Sequence, residues 1–361
     1  MSDKIENFRY ETWEIDEMVR AIERPNPFLL RMFFPNVREE NAKVIEFDIV
    51  EGGRRLAPFV SPLVQGQPVR SRGYKTQTLT PAYIKPSAII HPNQGWTRRP
   101  GEPYGGNLTP RERLDRVLAE QIAEHDEMID NRLEWMAAQA LINGSITVSG
   151  ESYPTVVVEF GRNSNLYKEL ESSVQWHKSE ADPLADIEMM ALDIRQYSYG
   201  AVADTVVMDG KAWDLMRTRI SSNAQLRVQF DNTLRLGSSS AEIGPRNDID
   251  GEYVGRLAGR FDLWVYDGTY EDEEGVGQKY LPDYHVIVGS RAGVQGTQYF
   301  GAIQDLDAGL VPMRHFVKTK VKFDPSGLEV LSQSAPLVAP KRPNAVGCMV
   351  VKTESGGQGS E

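Results

Sequence analysis

Residues 109–144 read TPRERLDRVLAEQIAEHDEMIDNRLEWMAAQALING, and both ends of this stretch carry signals as clear as its middle. Thr109 is placed to cap a first turn while Glu112 returns the bond, and Pro110 takes the position where a missing N–H costs nothing. Asn143-Gly144 supplies the stop. Between them Leu114, Val117, Leu118, Ile122, Ile129, Leu133, Met136 and Leu141 recur at helical spacing, with acids and bases on the remaining face. The spacing predicts a helix over 109–142, a rod near 50 Å long at about 1.5 Å per residue and roughly three times the usual helix. Its apolar repeat is not a strict heptad, so a helix lying across a sheet is expected rather than a coiled coil. In this reading His125, beside Asp126 and Glu127, belongs to a solvated charged face rather than to a metal site.

Upstream the composition changes sharply. Between Gly52 and Gly101 there is no acidic residue, while Arg54, Arg55, Arg70, Arg72, Lys75, Lys85, Arg98 and Arg99 give +8; against a total of −11, the rest of the chain carries −19. Seven prolines, at 58, 62, 68, 81, 86, 92 and 100, exclude a helix and a central strand. APFVSPLV (57–64) and YKTQTLTPAYI (74–84), joined by the turn signal QGQP (65–68), predict a two-stranded arm with Tyr74, Thr76, Thr78 and Thr80 on one face. Two strands alone are marginal in water, so such an arm is expected to rest on another surface; a flexible loop is the alternative.

Downstream the chain mixes helix and strand. ITVSG…YPTVVVEF (146–160) predicts a hairpin, PLADIEMMALDIRQYSY (183–199) and GKAWDLMRTRI (210–220) helices, and DTVVMD (204–209) a buried strand between them. Strands follow at about 253–258, 261–266 and 284–289, with the acidic turn YEDEEGVGQ (270–278) between the last two. RHFVKTKVKFD (314–324) and LEVLSQSAPLVAP (328–340) predict long strands returning to pair with 146–160, and residues 347–361 are expected as a frayed tail. The fold class is α+β.

Catalytic chemistry is hard to find. The phosphate-loop, dinucleotide, nucleophile-elbow and H-E-x-x-H motifs are missing from the sequence, and the five histidines, at 91, 125, 177, 285 and 315, stand in unlike contexts. Asp248-Ile-Asp250 and Asp305-Leu-Asp307 resemble fragments of calcium loops but read as turns. One cysteine, Cys348, allows neither an internal disulfide nor a cysteine metal site. No stretch is apolar enough to cross a bilayer as a helix, and the first 16 residues lack the features of a secretory signal. No catalytic residue, cofactor or metal is therefore expected. A basic arm on an acidic body suits a subunit that polymerises head to tail. Nucleic-acid binding through the arm, and an enzyme using Asp305 and Asp307, are the alternatives.

NPFLLRMFFP (26–35), residues 57–86, LPDYHVIVGS (281–290), GAIQDLDAG (301–309) and SQSAPL (332–337) together resemble the lambda-like major capsid protein E family of tailed bacteriophages. The resemblance implies the Hong Kong 97-type capsid fold, with 1–50 as N-terminal arm, 51–101 as extended loop and 102–182 as peripheral domain with the spine helix. It likewise makes 183–310 the axial domain and 311–346 the return strands. It implies a shell subunit forming hexamers and pentamers, assembled in the bacterial cytoplasm and ending in the virion. The implied partners are copies of itself, a separate scaffolding protein, a portal, a decoration protein at three-fold positions, and double-stranded DNA enclosed without sequence-specific binding. Contacts between subunits are expected through Arg54, Arg55, Arg70, Arg72, Tyr74, Lys75, Tyr83 and Lys85, and the spine helix is expected to be capped by Thr109, Glu112 and Gly144.

Overall fold

A computed structural model describes residues 27–42, 44–51, 57, 59, 65, 73–98, 108–150, 153–223, 247–248, 251–272 and 274–353. In chain order the elements are α1 (Phe28–Phe33), β1 (Asn36–Glu40), β2 (Ile45–Glu51), β3 (Gly73–Leu79), β4 (Ser87–Ile90), α2 (Pro110–Asn143), β5 (Ser145–Gly150), β6 (Tyr153–Glu159) and β7 (Tyr167–Glu169). There follow α3 (Pro183–Tyr197), β8 (Thr205–Met208), α4 (Gly210–Ser222), β9 (Asn247–Asp248), β10 (Gly251–Leu257), β11 (Phe261–Tyr266), β12 (Thr269–Glu271), β13 (Gly277–Lys279) and β14 (His285–Gly289). The last are α5 (Arg291–Val294), β15 (Gly296–Gly301), β16 (Phe316–Lys322), β17 (Gly327–Gln333), β18 (Pro336–Pro340) and β19 (Val346–Val350).

Helix α2 is the axis of the fold. Its N-terminal half buries Val117, Leu118 and Ile122 against Ile90, Val317 and Val330 of the sheet β16-β17-β4. Its C-terminal half, from Ile129 to Ile142, enters the main core with α1 and the larger sheet. An apolar stripe that meets two sheets along its length gives the helix more stability than propensity alone supplies.

The second lobe is a seven-stranded sheet of order β7-β19-β14-β8-β11-β10-β9. Strand β8, with the sequence TVVM, is buried on both faces and pairs parallel to β11 and antiparallel to β14, as its continuous apolar run predicts. Helix α3 packs its buried residues Ile187, Met190, Ala191 and Ile194 into the main core, while α4 opens on Asp209, whose side chain accepts from the backbone N–H groups of Lys211 and Ala212.

Four expectations are corrected. The strand facing β3 is β2, residues 45–51, with Ile45 opposite Leu79 and Glu51 opposite Gly73, where 57–64 was expected; that stretch lies outside the described residues apart from Ala57 and Phe59. Pro58 and Pro62 deny the later segment two ladder donors, whereas VIEFDIVE is unbroken. The hairpin base therefore includes Glu46, Asp48 and Glu51, and its first limb begins inside the stretch expected as N-terminal arm. Second, β16 and β17 pair with each other and with β4, and β18 with β15, while β5 and β6 form a separate hairpin. Third, 346–350 is no tail: β19 is buried throughout and stands between β14 and β7. Finally, the sheet of the second lobe reaches beyond 183–310, recruiting 167–169 and 346–350, and loses β15 to a sheet with β1 and β18.

Candidate assembly interface

Helix α2 is closed at both ends by side chains. The Thr109 hydroxyl accepts from the Glu112 backbone N–H, and the Glu112 carboxylate accepts from the Thr109 N–H at 2.6 Å, the reciprocal capping box its spacing predicts. Those bonds hold the Glu112 carboxyl below its ordinary range. At the other end Gly144 takes a left-handed φ of 69°, and its N–H donates to the Ala140 carbonyl. Arg162 completes this end. Its guanidinium donates to the Leu141 carbonyl at 2.6 Å and to that of Ile142, placing a cation where the helix dipole is negative.

Between the caps, Asp126, Asp130 and Glu134 recur every four residues and are all buried. The expectation of a solvated face around His125 and Asp126 is thus overturned; of that trio only Glu127 lies at the surface. Each buried carboxylate meets a different segment. Asp126 lies 3.1 Å from His315 Nδ1, and Asp130 pairs with Arg314. Glu134 accepts from the Leu29 N–H at 2.7 Å, the Leu30 N–H at 3.0 Å and the Tyr266 hydroxyl at 2.9 Å. His125 Nδ1 and Ser332 Oγ are 2.9 Å apart, and burial, followed by the nearby His315, lowers the His125 pKa. These groups fasten α1, β11, β17 and the 314–315 segment to one rod. Only Asp126 carried a sequence signal, at i+4 from Ile122 and beside the stripe of Ile122, Ile129 and Leu133; at about 100° per residue Asp130 and Glu134 turn progressively away from that stripe.

The hairpin is anchored at its base by Tyr83. Its hydroxyl donates to the Ala302 carbonyl at 2.7 Å and accepts from the Gln304 N–H at 2.8 Å, while Lys85 Nζ stands 5.0 Å from the ring centroid. Thus the Tyr83 hydroxyl, expected at a contact between subunits, is engaged within its own chain. Thr76 and Thr78 are exposed on one face of β3, and Tyr74 and Lys75 belong to the same strand, at the positions opposite Val50 and Ile49. Arg54, Arg55, Arg70 and Arg72 lie outside the described residues. Asp305 serves a turn, accepting from the Asp307 N–H at 3.0 Å and from Gln333 Nε2 at 2.7 Å, with Lys318 paired to it at 2.5 Å. Among the described residues no group of His, Cys, Asp and Glu is arranged to hold a metal ion, and no helix is long and apolar enough to cross a membrane.

A chain with this capped rod, hairpin and mixed lobe has known relatives. The profile of phage major capsid protein E matches residues 11–350. The major capsid protein of Escherichia phage lambda is 29% identical over 320 residues, spanning 87% of this chain and 90% of its own. That of Enterobacteria phage phi80 is 28% identical over 327 residues, spanning 89% and 92%. In three dimensions the chain is similar to a prophage capsid protein of E. coli CFT073, with 21% identity and a TM-score of 0.74 over 95% of this chain and 99% of that one. This last likeness establishes the capsid fold alone, while the profile spans nearly the whole sequence; the chain belongs to the phage major capsid protein E family.

Proposed function

We propose that copies of this chain join by laying the basic 52–72 segment of the β2–β3 hairpin on the acidic flank of a neighbour, building hexamers and pentamers of an icosahedral shell. As a member of its family the chain is the major capsid protein of a tailed double-stranded DNA phage, a subunit of the capsid shell and part of the virion. The observation that carries the assembly reading is the charge division along the chain. Eight cations and no acid fall between Gly52 and Gly101, against −19 elsewhere. The base of the hairpin is tied to its own subunit through Tyr83.

An exposed ion pair is worth only about 0–1 kcal/mol, so the contact draws its strength from repetition around a ring and from strand pairing. The acidic remainder suits a container, because a cationic lining would hold phosphates through counterion release and impede movement of the genome. In this reading α2 is the spine of a peripheral domain, the seven-stranded lobe is the axial domain near the capsomer centre, and the hairpin with 52–72 is the extended loop. The chain would assemble in the host cytoplasm with a separate scaffolding protein and a portal, take a decoration protein at three-fold positions, and enclose DNA without reading its sequence. Exchanging Arg70 and Arg72 for Glu should leave a folded chain by circular dichroism and abolish particles in electron micrographs. Normal particles from that variant would overturn the reading.

A further inference from the structure

Helix α2 meets the limb 314–334, which carries β16 and β17, through a buried layer that holds two histidines. His125 Nδ1 lies 2.9 Å from Ser332 Oγ, His315 Nδ1 lies 3.1 Å from the Asp126 carboxylate, and Arg314 pairs with Asp130. His125, Asp126, Asp130, His315 and Ser332 are all buried. The Ser334 hydroxyl donates to the Arg314 carbonyl at 2.6 Å, so the 314–315 corner and the end of β17 form one piece. Few charges face these histidines. From α2 come Asp126 and Asp130, with Glu124 at the surface and Glu134 a turn beyond Asp130, where it accepts from three neutral donors. The corner itself brings Arg314. Strand β17 brings Ser332, Gln333 and Ser334, which do not titrate, and the Asp305 carboxylate bonded to Gln333 is already paired with Lys318. The chain at 84–86 reaches Ser332 and Ser334 through its backbone, and its Lys85 stands over the Tyr83 ring. Strand β4, SAII, carries no charge. Two carboxylates therefore stand against one guanidinium. A single proton on the histidine pair brings the layer to neutrality, whereas a second leaves a positive charge uncompensated in a buried place.

We propose that His125 and His315 form an acid-operated latch, in which the second proton taken by the pair releases the 314–315 corner and the end of β17 from α2. Histidine is the side chain whose charge ordinarily changes between about pH 5 and pH 8, and two that share one site take up protons in linked steps. Burial, and then the nearby His315, lower the His125 pKa, which keeps that ring neutral until the solution is mildly acidic. Release is confined to the polar layer. Farther along the helix Val317 and Val330 stay packed with Ile90 on Val117, Leu118 and Ile122, an apolar contact that protons do not touch. The latch belongs to a single chain and does not depend on the shell reading.

Hydrogen–deuterium exchange of the full chain, read by mass spectrometry at about pH 7.5 and about pH 5.5 and corrected for the intrinsic pH dependence of exchange, tests the latch. Peptides covering 314–317 and 331–335 should exchange several-fold faster at the lower pH, while peptides from β8 and β14 should not. H125Q and H315Q each leave one titrating histidine, whose single proton is balanced, so each should abolish the acceleration. D126N removes one of the two carboxylates, makes the first proton the uncompensated one, and should move the acceleration to higher pH. Absence of the acceleration in the parent chain, its equal spread over β8 and β14, or its persistence in either single histidine variant would overturn the proposal.

Discussion

The Tyr266 hydroxyl donates to the Glu134 carboxylate across 2.9 Å and so joins an internal strand of the seven-stranded lobe to the C-terminal half of α2. Both residues are buried, and Glu134 also receives the Leu29 and Leu30 N–H groups. Y266F removes one donor from a charged acceptor and is expected to cost about 1.5–3 kcal/mol. E134A should cost more, because it strands a hydroxyl and two backbone donors in the core. Guanidinium unfolding curves of the two variants measure the order; an E134A midpoint above that of Y266F would contradict it.

Both ends of α2 are open to the same kind of test. Removing the N-cap hydroxyl in T109A should cost about 1 kcal/mol. At the other end G144A meets two obstacles, a φ of 69° and a new Cβ 2.8 Å from Arg162 Cβ, so a loss of about 1–3 kcal/mol is expected. The ends lie some 50 Å apart, and the two losses should therefore add in the double variant. Thermal or denaturant midpoints of the three proteins supply the comparison.

These caps also show what a sequence makes legible. Thr109, Glu112 and Gly144 signal their roles locally, through spacing and residue type; Thr109 and Glu112 form a capping box and Gly144 takes the left-handed turn. Arg162 bonds to carbonyls at the end of the same helix, yet lies 18 residues beyond Gly144 and is brought there by the β5–β6 hairpin. The Asp126, Asp130 and Glu134 series was misjudged for a related reason. Carboxylates default to solvent until their partners are known, and His315, Arg314 and Tyr266 are distant in sequence. Strand pairing failed where two apolar runs competed for one partner, as at 45–51 and 57–64, and where register depends on contacts between distant segments.

Burial lowers the His125 pKa first, and the nearby His315 adds to it. Ser332 faces its ring from β17, and Asp126 and Glu124 are the neighbouring acids on its own helix. Protonation thus favours the unfolded chain, in which the group titrates near 6.5. The stability that neutral His125 contributes should be complete above about pH 6.5 and lost as pH falls through the depressed folded value, at no more than about 1.4 kcal/mol per pH unit. H125Q should flatten the fall in stability between pH 7 and pH 5 relative to the parent protein. Equal slopes in the two would contradict this assignment.

Cys348 reports on the core. It is fully buried in β19, and burial pushes its thiol pKa up to about 12. At pH 8 the thiolate is scarce and sheltered, so Ellman's reagent should leave the folded protein unmodified and titrate one thiol per chain in denaturant. Rapid labelling of the folded protein would mean that β19 opens locally.

In the shell reading this chain is completed by copies of itself. Electron microscopy of the protein expressed with its genomic neighbours tests that most directly. Closed icosahedral particles are predicted, lost on exchanging Arg70 and Arg72 for Glu while the folded chain persists. A chain that stays solitary in every condition, with 52–72 held against its own body, would contradict the account.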